Sequence, residues 1–192
     1  MKICVFCGSS AGASDIYLNA AKALGREMAS RGIGLVYGGA SVGLMGAVAN
    51  AVLDQRGDVI GVIPEALADL EIAYEGLTEL RIVDSMHSRK KQMADLADAF
   101  IALPGGIGTL EETFEVLTWS QLGFHTKPVG LLNAGGFYDQ LEQFLDHVVD
   151  KGFLKPIHRA ILSSDTEPGR LIDKLAAAEL PSDKKWVDEL KR

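Results

Sequence analysis

The sequence predicts an α/β fold: a single doubly wound, mostly parallel sheet with helices on both faces. Three observations predict it. Short apolar stretches alternate with longer amphipathic ones along the whole chain, the pattern of parallel strands joined by crossover helices. Glycine, serine or proline clusters follow several of the apolar stretches, as strand-to-helix turns require. No composition shift, linker, repeat or low-complexity stretch divides the 192 residues, a length typical of one domain.

Residues 2–7, apolar from Ile3 to Cys7, read as the first strand, followed by a Gly/Ser loop over 8–14. The next helix is predicted over 15–30, with Leu18, Ala21, Leu24 and Met28 on one stripe and Ser14 as N-cap. Gly32 and Gly34 interrupt the chain before a strand over 35–37. A glycine-rich turn then leads into a helix ending near residue 55. Residues 58–63 form a third strand stopped by Pro64, and 65–76 are irregular or weakly helical. Residues 78–83 are a fourth strand, and 85–96 a helix. A fifth strand over 99–103 is stopped by Pro104-Gly105-Gly106, ahead of a helix over 109–122. Strand 128–132, helix 137–151, strand 160–164 and helix 167–178 complete the alternation, with right-handed crossovers. The domain is expected over residues 1–180, with 181–192 as a charged tail.

Composition narrows the function. Apolar residues make up 47% and charged residues 23%, values of a globular chain that buries about 70% of its unfolded surface without staples. A net charge of −7 argues against nucleic acid or anionic lipid as a partner. No apolar run reaches the length of a signal-peptide core or a membrane span, so a cytoplasmic location is expected. Cys4 and Cys7 form C-x-x-C, but an offset of three within a strand puts them on opposite faces. Further zinc ligands are missing nearby. They read as structural thiols of a reducing compartment, and no metal site is expected. His125, His147 and His158 read as surface residues.

Ligands of open α/β sheets bind beyond the carboxyl ends of the strands. Three glycine-rich turns meet that edge: Gly8-Ser9-Ser10, the run from Gly38 to Gly46, and the run from Pro104 to Thr109. Glycine lets backbone approach a ligand, and the helix behind it offers free N–H groups to an anion. The P-loop pattern G-x-x-x-x-G-K-[ST] is absent, as is the Rossmann fingerprint G-x-G-x-x-G. No acidic residue closes the second strand to hold a dinucleotide ribose, so a mononucleotide fits this Rossmann-like chain better than NAD. Glu111 and Glu112 lie about one turn inside the helix after the third glycine loop. Neighbouring helical residues differ by about 100°, so at most one faces the strand ends squarely. A carboxylate beside a sugar phosphate suits glycosidic cleavage, where it activates water and steadies an oxocarbenium-like transition state. Arg89, Lys90 and Lys91 open the helix after strand four, against the helix dipole. Arginine there can bind phosphate or stabilise developing charge.

These residues carry a resemblance. Pro104-Gly105-Gly106-Ile107-Gly108-Thr109-Leu110-Glu111-Glu112 resembles the P-G-G-x-G-T-x-x-E motif of the LOG family, the cytokinin riboside 5′-monophosphate phosphoribohydrolases. Met86-His87-Ser88-Arg89-Lys90 resembles the family's M-H-x-R-K element. Gly38-Gly39 through Gly43-Leu44-Met45-Gly46 resembles its G-G-x-x-x-G-L-M-G loop, and the stretch from Cys4 to Ser10 is also similar. The resemblance extends to about residue 180. It implies metal-free, cofactor-free hydrolysis of the N-glycosidic bond of an N6-modified adenosine 5′-monophosphate, releasing free base and ribose 5-phosphate. Arg89 and Glu111 then match the catalytic pair, Glu111 assisting water and Arg89 stabilising charge, with Glu112 closing the motif. Pro104, Gly105, Gly106, Ile107, Gly108 and Thr109 would surround the phosphate. Lys90, Met86, Thr118 and Glu71 would add substrate contacts, as would Gly8, Ser9, Gly38, Gly39, Gly43 and Met45 from the other loops. The family also implies a homodimer with the site near the interface, for which Val116, Leu117 and Trp119 are candidate contacts. An older family label, lysine decarboxylase, finds no Ser-x-His-Lys pyridoxal phosphate site here. Two alternatives remain: a nucleosidase of ordinary 5′-nucleotides, and a non-catalytic nucleotide-binding module.

Overall fold

Strands β1 (Lys2–Phe6), β2 (Gly34–Tyr37), β3 (Val59–Pro64), β4 (Glu79–Val83), β5 (Ala99–Ala102), β6 (Val129–Leu132) and β7 (Leu162–Asp165) form one wholly parallel sheet. Their order is β4-β3-β2-β1-β5-β6-β7. The computed structural model describes residues 1–68 and 73–179. Glu71 and the tail over 181–192 therefore lie outside the described residues.

The central strands are apolar on both sides, so the sheet must be covered twice. Helices α1 (Asp15–Ser30), α2 (Gly43–Leu53) and α8 (Pro168–Ala176) cover one face, packing Leu24, Met28, Val48 and Leu171 against Ile3 and Val5. Helices α4 (Met86–Leu96), α5 (Ile107–Gln121) and α6 (Asp139–Asp150) cover the other, packing Met93, Val116 and Leu145 around Cys4, Phe6 and Phe100. Cys4 and Cys7 fall in opposite layers as free buried thiols, as strand alternation requires. Two one-turn helices, α3 (Glu65–Ala68) and α7 (Pro156–Arg159), fill connections.

Several boundaries differ from expectation for local reasons. Pro64 is the last residue of β3, paired with Val83, rather than a stop before it. Helix α5 begins two residues early, at Ile107, because Gly106 takes the extended N-cap conformation. Helix α6 begins two residues late. Gly135 and Gly136 turn left-handed ahead of it, and the Asn133 side chain accepts from Tyr138 N–H while donating to Asp139, both at 2.7 Å. His125 is not a surface residue: its ring lies 5.4 Å from that of Phe100, and burial lowers its pKa. Val116, a candidate for the subunit contact, is only 3% exposed and belongs to the chain's own core. The α5 apolar stripe faces the sheet, which satisfies it within one chain.

From β1 the chain winds outward through β2, β3 and β4. It then returns to place β5 on the other side of β1 and winds outward again. The direction reverses between β1 and β5. In such sheets a crevice opens at that switch point, beyond the carboxyl ends of the strands.

Candidate functional site

A cavity of about 250 Å³ occupies that crevice. Its floor is the end of β1, Val5 to Cys7, continuing into Gly8 and Ser9. Gly106, Gly108 and Thr109 from the start of α5 form one side, and Arg89 and Met86 from α4 another. Gly38, Met45 and Leu67 close it, with Glu111 and Glu112 above. Three sequence-distant loops thus meet because the topology delivers the ends of β1, β2 and β5 to one edge.

Hydrogen bonds lock the loops together. Gly8 N–H donates to Pro104 carbonyl oxygen at 3.2 Å, and Leu44 N–H donates to Gly8 oxygen at 3.1 Å. The glycines divide between two tasks. Gly43 has φ +59, and a Cβ there would collide with the Ser9 backbone; one at Gly105 would collide with Thr109 Oγ1. These two seat loop on loop. Gly39, at φ +82, packs against Ile63 and Leu80, away from the cavity wall. Gly106 and Gly108 face open space. The N-cap Gly106 supplies no side-chain cap to α5, so the first-turn N–H groups that a helix leaves unbonded stand open to an anion.

Arg89 is only 5% exposed. Its Nε donates to Val62 oxygen at 3.1 Å and its Nη2 to Gly38 oxygen at 3.0 Å. The two carboxylates differ. Glu111 has a side chain 51% exposed and receives Lys90 Nζ at 2.7 Å. Glu112 is half-buried. Burial raises the pKa of the Cys7 thiol; the Glu112 charge raises it further, while the Arg89 charge opposes. A guanidinium and a carboxylate therefore both act on the end of β1, at the cavity floor. The raised pKa keeps Cys7 a thiol, not a nucleophile.

Other expected site residues stand further out. Lys90 bridges Glu111 and Glu115. Burial pulls its pKa down, but its hydrogen bonds to the two glutamates, together with their charges, outweigh that and raise it. Pro104 contributes its carbonyl to loop locking, and Ile107 projects outward at 85% exposure. Thr118 donates to Phe114 oxygen at 2.7 Å, about 9 Å along α5 from Glu112 at 1.5 Å per residue. Cys7, Leu67 and Met93 line the cavity without having been marked in the sequence. Nothing local signals them, because their place depends on the sheet. Glu115 was findable: it lies four residues after Glu111, on the same helix face.

Known proteins resemble this chain over most of its length. Residues 45–175 match a family model described as "Possible lysine decarboxylase". The cytokinin riboside 5′-monophosphate phosphoribohydrolase LOG3 of Arabidopsis thaliana is 53% identical over 174 residues, covering 91% of this chain and 81% of the plant protein. The probable cytokinin riboside 5′-monophosphate phosphoribohydrolase LOGL2 of Oryza sativa subsp. japonica is 51% identical, over 99% of this chain and 78% of that protein. Among solved structures, the molybdenum cofactor carrier protein of Chlamydomonas reinhardtii superposes with a TM-score of 0.70 at 23% identity, covering 92% of this chain and 98% of that one. That likeness is one of fold.

Proposed function

The chain belongs to the LOG family of cytokinin riboside 5′-monophosphate phosphoribohydrolases, and on that premise we propose that it hydrolyses the N-glycosidic bond of an N6-modified adenosine 5′-monophosphate. Water adds to C1′ of the ribose, the C1′–N bond breaks, and the base leaves with the bonding electrons and takes up a proton. Ribose 5-phosphate is the other product. The observation that carries the reading is the pairing, across one crevice, of an open helix N-terminus with a buried arginine and a half-buried glutamate.

The 5′-phosphate binds at the start of α5, over Gly106, Gly108 and Thr109, where backbone N–H groups and the helix dipole favour an anion. Ser9 and Met45 flank it from the neighbouring loops. Arg89 offsets charge that develops as the bond breaks. Of the two glutamates, the water-activating role falls to Glu112 rather than to Glu111. Glu112 is the half-buried one and its charge reaches Cys7 at the cavity floor, whereas the Glu111 side chain is half-exposed. Metal ligands enter no step, and among the described residues no cluster of His, Cys, Asp and Glu has metal-binding spacing. No described helix is long and apolar enough to cross a membrane. We assign the protein to the cytoplasm, in keeping with its two free thiols; cell fractionation checks this.

Turnover tests the reading. Purified protein incubated with N6-isopentenyl-AMP, and separately with AMP, GMP, CMP and UMP, is expected to release free base fastest from the modified nucleotide. Equal rates would favour a general nucleosidase, and folded protein releasing none would end the hypothesis. Glu112→Gln is expected to lower kcat by about 10²–10⁴-fold, and Glu111→Gln by much less. The reverse order would return the role to Glu111.

A further inference from the structure

Gly38 stands at the turn out of β2, where its sequence motif groups it with the glycines of a ligand cradle. Its surroundings indicate a different task. Gly39 and Gly43 have φ of +82 and +59, but Gly38 is not among the left-handed residues. Backbone conformation therefore does not demand glycine at 38; space does. A Cβ there would clash with Nη2 of Arg89 and stand 3.1 Å from Sδ of Met45. The same Nη2 donates to Gly38's own carbonyl at 3.0 Å, Nε donates to Val62 carbonyl at 3.1 Å, and Nη1 faces Met86 Sδ at 3.7 Å.

We propose that Gly38 is a positioning residue for Arg89. The missing side chain is a slot that holds the guanidinium edge-on to the carbonyls of Gly38 and Val62. The planar fork of arginine fits such a fixed pair of acceptors, and a long side chain would otherwise sample many rotamers. Gly38 thereby sets where the positive charge stands over the cavity floor. The inference rests on the reading that Arg89 serves the hydrolysis.

Gly38→Ala and Arg89→Lys, made singly and together, test it. The readouts are kcat with N6-isopentenyl-AMP and AMP, calorimetric binding of ribose 5-phosphate, and thermal melts. Gly38→Ala is expected to lower kcat about 100-fold through displacement of the guanidinium, with ribose 5-phosphate affinity changed by about twofold or less. Lysine has no Nη2, so in the Arg89→Lys background the alanine is expected to cost about threefold or less, a non-additivity that a general loss of stability does not produce. Equal losses in both backgrounds, or wild-type kcat in Gly38→Ala, would overturn the proposal while leaving the hydrolase reading intact. A Gly38→Ala chain that folds only when Arg89→Lys is added supports the slot; one that folds in neither background overturns it. A wild-type chain that binds nucleotide but releases no base overturns the hydrolase reading itself, and this inference with it.

Discussion

Asp165, the last residue of β7, is a charge placed where two cations and an amide converge. Its side chain is 8% exposed and meets Arg170 at 2.8 Å and Lys174 at 3.0 Å, while Glu167 N–H donates to it at 2.9 Å. The Arg170 hydrogen bond, helped by Glu167 N–H and Lys174 against the cost of burial, holds its carboxyl well below the ordinary carboxylate range. A depressed carboxyl contributes stability that is complete above the unfolded value, about 3.9, and is lost as pH falls through the folded one. Asp165→Asn is therefore expected to cost about 1 kcal/mol near neutrality, a small figure because both cations are half-exposed or more. Urea melts should find the same cost at about pH 5 and a smaller one near pH 3. A difference that grew on acidification would refute the assignment. The catalytic candidates teach a related lesson. Arg89, Glu111 and Glu112 were legible as chemistry-bearing types, but not the burial that separates them.

At the scale of elements, α5 carries two functions at one end. Its first turn is the proposed anion site, and its next turn brings Glu111 and Glu112 to the cavity. Because Gly108 faces open space at a helical position, alanine there should leave the fold intact. It should even stabilise it by a few tenths of a kcal/mol, since glycine is a poor helix former. The added methyl would stand where the phosphate approaches. Gly108→Ala is thus expected to keep or raise the melting temperature while weakening ribose 5-phosphate about tenfold, or 1.4 kcal/mol. Unchanged affinity in calorimetry would move the phosphate elsewhere. Gly105 is the contrasting case: its neighbours are Thr109 and the Gly8 backbone, so its substitution acts on loop packing. Two residues of one P-G-G-x-G motif therefore do different work, and only the docking of loop on loop separates them.

At the scale of the molecule, Ile107, between the cavity-lining Gly106 and Gly108, is 85% exposed. Phe124, at the far end of α5, is also exposed. A homodimer, which the family resemblance implies, would cover exposed side chains of this flank. We propose a homodimer that buries this flank and walls the site. Sedimentation is expected to give twice the chain mass of 20.6 kDa, and a fully active monomer would refute the dimer. Val116 has no part in that contact, being committed to the core, whereas Leu117 and Trp119 are only partly buried.

The sequence by itself determined the alternation of strands and helices and the three glycine turns at one sheet edge. It also determined the residue types able to hold phosphate and cleave a glycosidic bond. These rest on short-range physics, namely periodicity, turn geometry and side-chain chemistry, which act within a few residues. The tertiary structure alone decided that Arg89 is buried across β2 and β3, that Glu112 is more buried than Glu111, and what each glycine makes room for. Those outcomes depend on the angle at which a helix docks on a sheet. A rotation of about 100° separates adjacent helical residues, and only packing against strands brought from elsewhere in the chain selects between them.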